Sequence, residues 1–519
     1  MTGQAASVRL LGIDAGTTSM KAAVFDLSGR LLGIDRQEYQ LLMPSANIVE
    51  LDAELYWQAC RRAIRNALRQ SDTDASQVTA LSISSQGETL ICLDKNGAPT
   101  RNAIVWLDNR ATDEAGLIAR QFGVEHVFQI TGQADVAPTW PACKILWIRR
   151  NEPAVFDGTS RFLLLEDYLL YRLTGEYVTE RCLQADTLLL DIRSGNWWQP
   201  MFDFVGIVPE RLGRLMWPGE VVGPLSRAGA ENLGLSTKTV AVTGAMDQMM
   251  GAVGAGNFLA GVATESTGGA LAIIVTLPTG KPIFDPQRRV PCQYHAWPDT
   301  YCLMPWAQTA GMALKWFRDQ FFYLESQVAY ASNLDPYDLM TRAASDVPAG
   351  ADGLVVLPHL EGAACPEFNP AAKAVFFGAT LRHTKAHFIR AILESVAYML
   401  KKNLDLVEGL GIPVREVRSI GGGARSASWL QIKADVLQKP VVTVEVEEAA
   451  LLGAALLAAV ATGSFADLPE GVARMVRLRE RVEPNARRAD IYREGYAQYV
   501  ELYERLAPMF RGTEDVPVF

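Results

Sequence analysis

Twice along this chain an apolar run stops at a short turn of hydroxyl-bearing and glycine residues and then resumes. The first instance joins 8–14 to 20–26 through Asp14-Ala15-Gly16-Thr17-Thr18-Ser19, and a third run, 31–35, follows Leu27-Ser28-Gly29-Arg30. The second joins 262–265 to 270–275 through Ser266-Thr267-Gly268-Gly269. Short apolar runs separated by tight glycine-bearing turns predict an antiparallel meander. Beyond each instance the pattern changes to alternating strand and helix. In the first half, helical stretches at 55–70, 110–122, 142–150 and 161–173 are interrupted by strand-like runs such as 78–83. In the second half a strand at 353–357 precedes a long helix at 384–408. A strand at 417–420, a helix at 426–437, a strand at 441–444 and a helix at 447–461 follow. Alternation of this kind predicts an α/β fold, and two halves written to one scheme predict a duplication. The join falls near Gly251 to Gly256, dividing the chain into 1–250 and 251–519. Glycines there suit either a hinge or a close helix contact.

A length of 519 residues supplies enough chain for more than one domain. The net charge is −9 and no long basic run occurs, which argues against a general nucleic-acid binder. Seven scattered cysteines with no C-x-x-C pair read as reduced thiols rather than as a disulfide framework or zinc site. The start of the chain lacks the pattern of a signal peptide. The longest apolar stretch, 449–461, is too short to span a bilayer. The expectation is a soluble cytoplasmic protein without a membrane partner.

Three turns bear on chemistry. After the first strand, Gly16 allows close approach of the backbone to an anion, and Thr17 and Thr18 add hydroxyls. Lys21 adds positive charge, and Asp14, ending its strand, is placed to orient a Mg2+ through water. The second turn contributes Thr267, and the third, Gly421-Gly422-Gly423-Ala424, opens onto a helix whose N-terminus favours an anion or nucleotide. None of them is a Walker A loop. Taken singly, each turn is more simply an ordinary connection; the three together point to a nucleotide. Thr243-Gly244-Ala245-Met246-Asp247-Gln248 ends a strand beside the glycine-rich join. A carboxylate there would face the crevice between the halves, and Asp247 suits the base that phosphoryl transfer to an alcohol requires. The plainer alternative for Asp247 is a helix cap.

These motifs resemble the FGGY family of carbohydrate kinases, within the actin-like ATPase superfamily, over nearly the whole chain from Gly12 to about Gly463. The opening Gly12-Ile13-Asp14-Ala15-Gly16-Thr17-Thr18-Ser19 resembles its first phosphate loop, and Lys144-x-x-Trp147 its first signature. Gly378 with His387-Phe388 and Ala391-Ile392-Leu393-Glu394 resembles the second signature. The resemblance implies two actin-like (ribonuclease H-like) ATPase domains around a central cleft, with ATP and Mg2+ as cofactors. It also implies a sugar or polyol as the small-molecule partner, and a homodimer is the family expectation. Asp247 would be the catalytic base and Asp14 the Mg2+ carboxylate. Thr17, Thr18, Lys21 and Thr267 would face the phosphates, and Gly311, Gly422 and Gly423 the nucleotide. Glu265 ahead of the second loop, and Ala427 where glycerol kinases carry an asparagine, depart from the family pattern.

Ser85-Gln86-Gly87-Glu88-Thr89 resembles the Arg-Glu-Thr region of glycerol kinases, with Glu88 at the glutamate that contacts polyol hydroxyls. Asp247-Gln248 resembles that subgroup's Asp-Gln pair. Gly87 in place of the arginine leaves more room and less charge, which favours a longer polyol or ketose. The chain is most similar to the xylulokinase-like branch, although it lacks that branch's Met-His-Gly. Gln86, Glu88, Trp106, Asp108, Asp247 and Gln248 are the expected sugar-binding residues. Trp106 would either stack on a sugar face or pack in the core, and Asp108 would accept hydroxyl hydrogen bonds. The expected activity is transfer of the ATP γ-phosphate to a terminal hydroxyl of a ketopentose or related polyol. Glycerol, tetritol or gluconate kinases and a non-catalytic sugar or nucleotide sensor are the alternatives.

Overall fold

The computed structural model describes residues 8–510; the stretch 1–7, part of the segment examined for a targeting signal, lies outside them. In the first half β1 (Arg9–Ala15), β2 (Ser19–Phe25) and β3 (Leu31–Glu38) form the expected meander. β4 (Val78–Ser85), β5 (Val221–Pro224) and β6 (Val240–Met246) complete a six-stranded sheet in the order β5-β6-β4-β1-β2-β3. Strands β1, β4 and β6 run parallel, whereas β5 is antiparallel to β6.

The second half repeats this frame. β7 (Val262–Thr267) and β8 (Leu271–Thr276) pair antiparallel. β9 (Cys292–Tyr294) and β10 (Tyr301–Leu303) extend that side. β11 (Glu416–Ile420), β12 (Val441–Val444) and β13 (Leu478–Val482) complete the path β9-β10-β8-β7-β11-β12-β13. Parallel pairing joins β7 to β11 and β11 to β12, and β13 returns antiparallel. Apart from the added edge strand β9 and the short strand Trp306–Ala307, which pairs with β8 off this path, the two sheets share order and direction strand for strand.

Both faces of the first sheet are covered, which is why its central strands read as nearly unbroken apolar runs. Leu11 and Ile13 face α1 (Ala53–Gln70), while Leu10, Ala23 and Phe25 join the core that continues into the second half. Helix α1 starts at Asp52, whose side chain accepts the Glu54 N–H at 2.9 Å. It buries Tyr56, Cys60, Ala63, Ile64 and Ala67 at helical spacing. The remaining helices that frame the cleft are α2 (Pro141–Asn151), α3 (Asp247–Gly254), α4 (Gly311–Phe321), α5 (Ala427–Leu437) and α6 (Ala449–Ala461).

Between the glycine alternatives at the join, the structure selects a close helix contact. The expected division at 250/251 falls inside α3, and α3 crosses α6 with backbones touching. A Cβ on Gly254 would lie 1.8 Å from the Ala449 carbonyl oxygen, and one on Gly453 would lie 2.2 Å from that of Met250. The stretch 161–173, expected as one helix, is the strand Arg161–Leu164 followed by the helix Leu165–Thr174. Arg161–Leu164 pairs antiparallel with Leu90–Leu93 in a small five-stranded sheet. A buried apolar run of this length has the same pattern as strand or as helix, and only the partner strand decides.

Among the described residues the seven cysteines are all buried and unpaired, and no helix is long and apolar enough to cross a membrane.

Candidate active site

Residues far apart in sequence meet because parallel strands end together. The register pairs Asp14 on β1 with Ser84 on β4, and Ser85 on β4 with Met246 on β6. The carboxyl ends of these strands therefore gather Asp14, the 86–88 turn and Asp247 at one edge of the sheet, where ligands bind in open α/β sheets.

Asp14 receives the Ser84 hydroxyl at 2.9 Å on Oδ1, while its Oδ2 has no hydrogen-bond partner among the described residues. Burial raises its pKa; Lys21 and Ser84 oppose that shift and Glu448 adds to it. Asp247 is the first residue of α3 and partly accessible. Burial pushes its carboxyl up to about 7, helped by the negative charges of Asp14 and Glu88 and opposed by the Gln248 backbone N–H. A carboxylate titrating near neutrality is poised to take a proton from an alcohol. Gln248 follows, half-buried, on the first turn of the same helix.

Glu88 has φ +51°, a left-handed conformation that is strained for a side chain of this kind. The strain is held by Lys144 of α2. Its buried ammonium donates to the Glu88 backbone carbonyl at 2.9 Å and to that of Val105 at 3.0 Å. Burial raises the Glu88 carboxyl and depresses the Lys144 ammonium, each moderated by the opposite charge of the other. Gln86 donates from Nε2 to the Gly16 carbonyl at 3.3 Å, tying the 86–88 turn to the first loop. Trp106 makes a second tie: its indole N–H donates to the Thr17 hydroxyl at 2.8 Å. Thr18 is exposed, whereas the Lys21 ammonium crosses to Glu448, just before α6, at 2.6 Å.

Several expected residues do something different from what their positions suggested. Asp108 is not free for sugar hydroxyls, because both oxygens are filled from within the chain. Oδ1 takes the Arg110 backbone N–H at 3.0 Å and Nε at 2.8 Å; Oδ2 takes the Val49 N–H at 2.6 Å and an Arg110 terminal nitrogen at 2.7 Å. Gly311 does not offer its N–H to a nucleotide: that group donates to the Gly268 carbonyl at 3.0 Å. A Cβ there would lie 2.3 Å from the same oxygen, so Gly311 buttresses the second loop. The Thr267 hydroxyl is engaged as well, donating to Glu265 Oε2 at 2.6 Å and accepting from Lys433 at 3.0 Å. The Gly268 N–H is also spent, on the Ala270 carbonyl at 3.0 Å, so what the second loop can present to phosphate is the Gly269 N–H. Gly422 is exposed at the mouth of α5, while Gly423 is buried with its Cα face against Thr267. Ala427 opens α5, exposed, after the Ser426 cap.

The interior of the second loop carries a buried ion pair that the motifs did not reveal. Lys433 Nζ lies 2.6 Å from Glu265 Oε1, both side chains are fully buried, and the Ser419 hydroxyl donates to the same oxygen. Glu265 stood out in the sequence as a departure, but Lys433 lies on an apolar helix with nothing to mark it. Among the described residues no group of three or more His, Cys, Asp or Glu side chains is placed to hold a metal on its own.

Comparison with known proteins gives matches over most of the chain. Models of the FGGY family of carbohydrate kinases match residues 9–254 with the N-terminal domain and residues 270–462 with the C-terminal domain. The chain is 30% identical over 510 residues to a gluconokinase of Bacillus subtilis, covering 98% of each. It is also 30% identical over 494 residues to a xylulose kinase of the same organism, covering 95% of this chain and 96% of the relative. A crystal structure of xylulose kinase from Rhodospirillum rubrum superposes with a TM-score of 0.88 at 28% identity, covering 97% of this chain and 100% of that one.

Proposed function

The chain belongs to the FGGY family of carbohydrate kinases, and from that premise we propose that it phosphorylates a terminal hydroxyl of a ketopentose, xylulose- or ribulose-like, or of a related polyol. As an ATP-dependent sugar kinase it must hold an alcohol, a base and a triphosphate in line. The observation that carries the proposal is Asp247. It stands at the end of β6 and the start of α3, with its carboxyl raised to about 7 beside Asp14 and Glu88. From there it takes the proton of the attacking hydroxyl. Glu88, Gln86 and Gln248 line the acceptor side; Thr18, the Gly269 N–H of the second loop and exposed Gly422 line the donor side. Trp106 supports Thr17 through its hydroxyl.

Asp14 suits Mg2+: one carboxylate oxygen is free, and the desolvated carboxyl favours a nearby cation. One free carboxylate oxygen fits an ion that draws its remaining ligands from phosphate and water. When bound, Mg2+ supplies charge neutralisation on the phosphates.

A gluconate acceptor is the second reading, favoured by the 30% identity to the B. subtilis gluconokinase. Coupled ADP release with ATP, Mg2+ and a panel of pentuloses, hexuloses, tetritols, glycerol and gluconate separates the two. One pentulose or polyol raising turnover far above the background, and Asp247→Asn abolishing that increment, is the expected result. Sugar-dependent turnover that survives Asp247→Asn would remove Asp247 from the reaction.

A further inference from the structure

We infer that Asp186, held in place by Gln133 and Gln293, is a specificity-determining residue of the acceptor pocket that selects uncharged hydroxyl-rich acceptors over aldonates. The inference rests on the acceptor site proposed above.

Asp186 sits in the turn after the short helix Arg181–Gln184 and is fully buried. Its Oδ1 accepts two amide N–H bonds at 2.7 Å, one from Gln133 and one from Gln293. Its Oδ2 has no partner, although it is buried. A Cβ built on Gly87 would lie 3.8 Å from that Oδ2 and 3.6 Å from Met246 Cε. The free oxygen therefore borders the space above Gly87, flanked in sequence by Gln86 and Glu88. Two further buried acceptors, Gln86 Oε1 and Gln293 Oε1, also lack a donor. Leaving a buried acceptor unpaired is costly, so such groups normally have partners. Sugar hydroxyls are donors of the right kind; the carboxylate of an aldonate is one more acceptor.

Charge points the same way. Burial raises the Asp186 carboxyl well above its ordinary range, and the negative charges of Glu88, Glu180 and Asp247 add to the shift. The neighbouring cation, Lys144, is bonded to two backbone carbonyls. The burial and acidic neighbours that raise the Asp186 carboxyl equally disfavour a substrate carboxylate beside it, and Lys144, already bonded, is not free to meet that charge. Gln293 comes from β9 in the second half, whereas Asp186 and Gln133 belong to the first. The orientation of the selecting carboxylate thus depends on how the two halves meet.

The test is steady-state ADP release by the full-length enzyme with D-xylulose, D-ribulose, xylitol and D-gluconate, for the wild type, Asp186→Asn and Gln293→Leu. The wild type is expected to favour its best uncharged acceptor over gluconate by about 100-fold or more in kcat/KM. Asp186→Asn should raise the KM for that acceptor about 10-fold, lower kcat less, leave the KM for ATP unchanged, and narrow the uncharged-to-gluconate ratio by about 10-fold. Gln293→Leu should move the same ratio in the same direction by a smaller factor, and it supplies the test if Asp186→Asn does not fold. Gluconate turned over as well as any uncharged acceptor by the wild type would overturn this inference while leaving the kinase intact. Variants that shift acceptor and ATP kinetics alike, with the ratio unchanged, would also overturn it. Failure of every acceptor in the wild type would overturn both this inference and the acceptor reading beneath it.

Discussion

The two halves carry a carboxylate and a serine on corresponding strands of the frame, each with a lysine nearby that comes from a different element. In the first, Asp14 of β1 pairs with Ser84 of β4 and receives its hydroxyl, with Lys21 across the hairpin. In the second, Glu265 of β7 pairs with Ser419 of β11 and receives its hydroxyl, with Lys433 supplied by α5. Burial separates their fates. Asp14 is partly open, keeps a free oxygen, and its lysine turns away to Glu448. Glu265 and Lys433 are both fully enclosed and bonded to each other and to Thr267. A duplicated backbone frame thus leaves one carboxylate partly open and encloses the other beneath a loop.

The largest effect should come from breaking the enclosed pair. Lys433→Met leaves Glu265 buried without its cation, and a loss of about 3–5 kcal/mol in unfolding free energy is expected. Denaturant titration would show it, and Glu265→Leu/Lys433→Met should recover most of the loss because no uncompensated charge remains. A single variant as stable as the wild type would mean that the pair holds nothing in place.

Asp14→Asn should behave in the opposite sense. We expect kcat to fall about 100- to 1000-fold, as when one preorganised electrostatic group is lost from a site, with no fall in melting temperature. An acid whose folded pKa is raised adds stability only below its unfolded pKa and loses it as pH rises, so removing the charge at neutral pH relieves the fold. A lower melting temperature with normal kcat would make Asp14 the scaffold and undo the contrast.

Acidity gives the next test. Asp247 must be ionised to accept a proton, and its carboxyl is raised to about 7. The value of kcat/KM should be level above neutrality and fall about 10-fold for each pH unit below it. A profile that stays flat down to pH 5 would exclude Asp247 as the base.

The smallest effect belongs to the cross-domain tie. The Lys21–Glu448 pair is partly exposed, with side chains 22% and 34% accessible, and such pairs are worth about 0–1 kcal/mol. Glu448→Gln should leave the melting temperature nearly unchanged and lower the KM for ATP by less than about fivefold as Lys21 is released. A large change in either would mean that this tie governs cleft closure.

Much of this was legible because it is local. The β1–β2 turn, the helix after Gly421-Gly422-Gly423 and the alternating segments follow from apolar period, glycine and capping chemistry within a few residues of one another. Asp14 and Asp247 were recognisable as strand-end carboxylates beside small residues. Asp108 misled because Arg110, two residues on, reads as an ordinary surface charge until the fold turns it back onto both carboxylate oxygens. Gly311 misled because its neighbour, the Gly268 carbonyl, is 43 residues away in sequence but 2.3 Å from where its Cβ would be. Asp186 had no local signal at all.

Sequence alone determined the family, the doubled α/β scheme and the positions of the two acids at the cleft, since periodicity and short motifs encode what neighbours along the chain must do. Tertiary structure alone decided which polar groups are free. Asp108, Thr267 and Gly311 are already bonded, while Asp186 Oδ2 and Gln293 Oε1 are left without donors. A hydrogen bond is a property of two atoms within about 3 Å, and here the partners come from distant strands and from both halves of the chain.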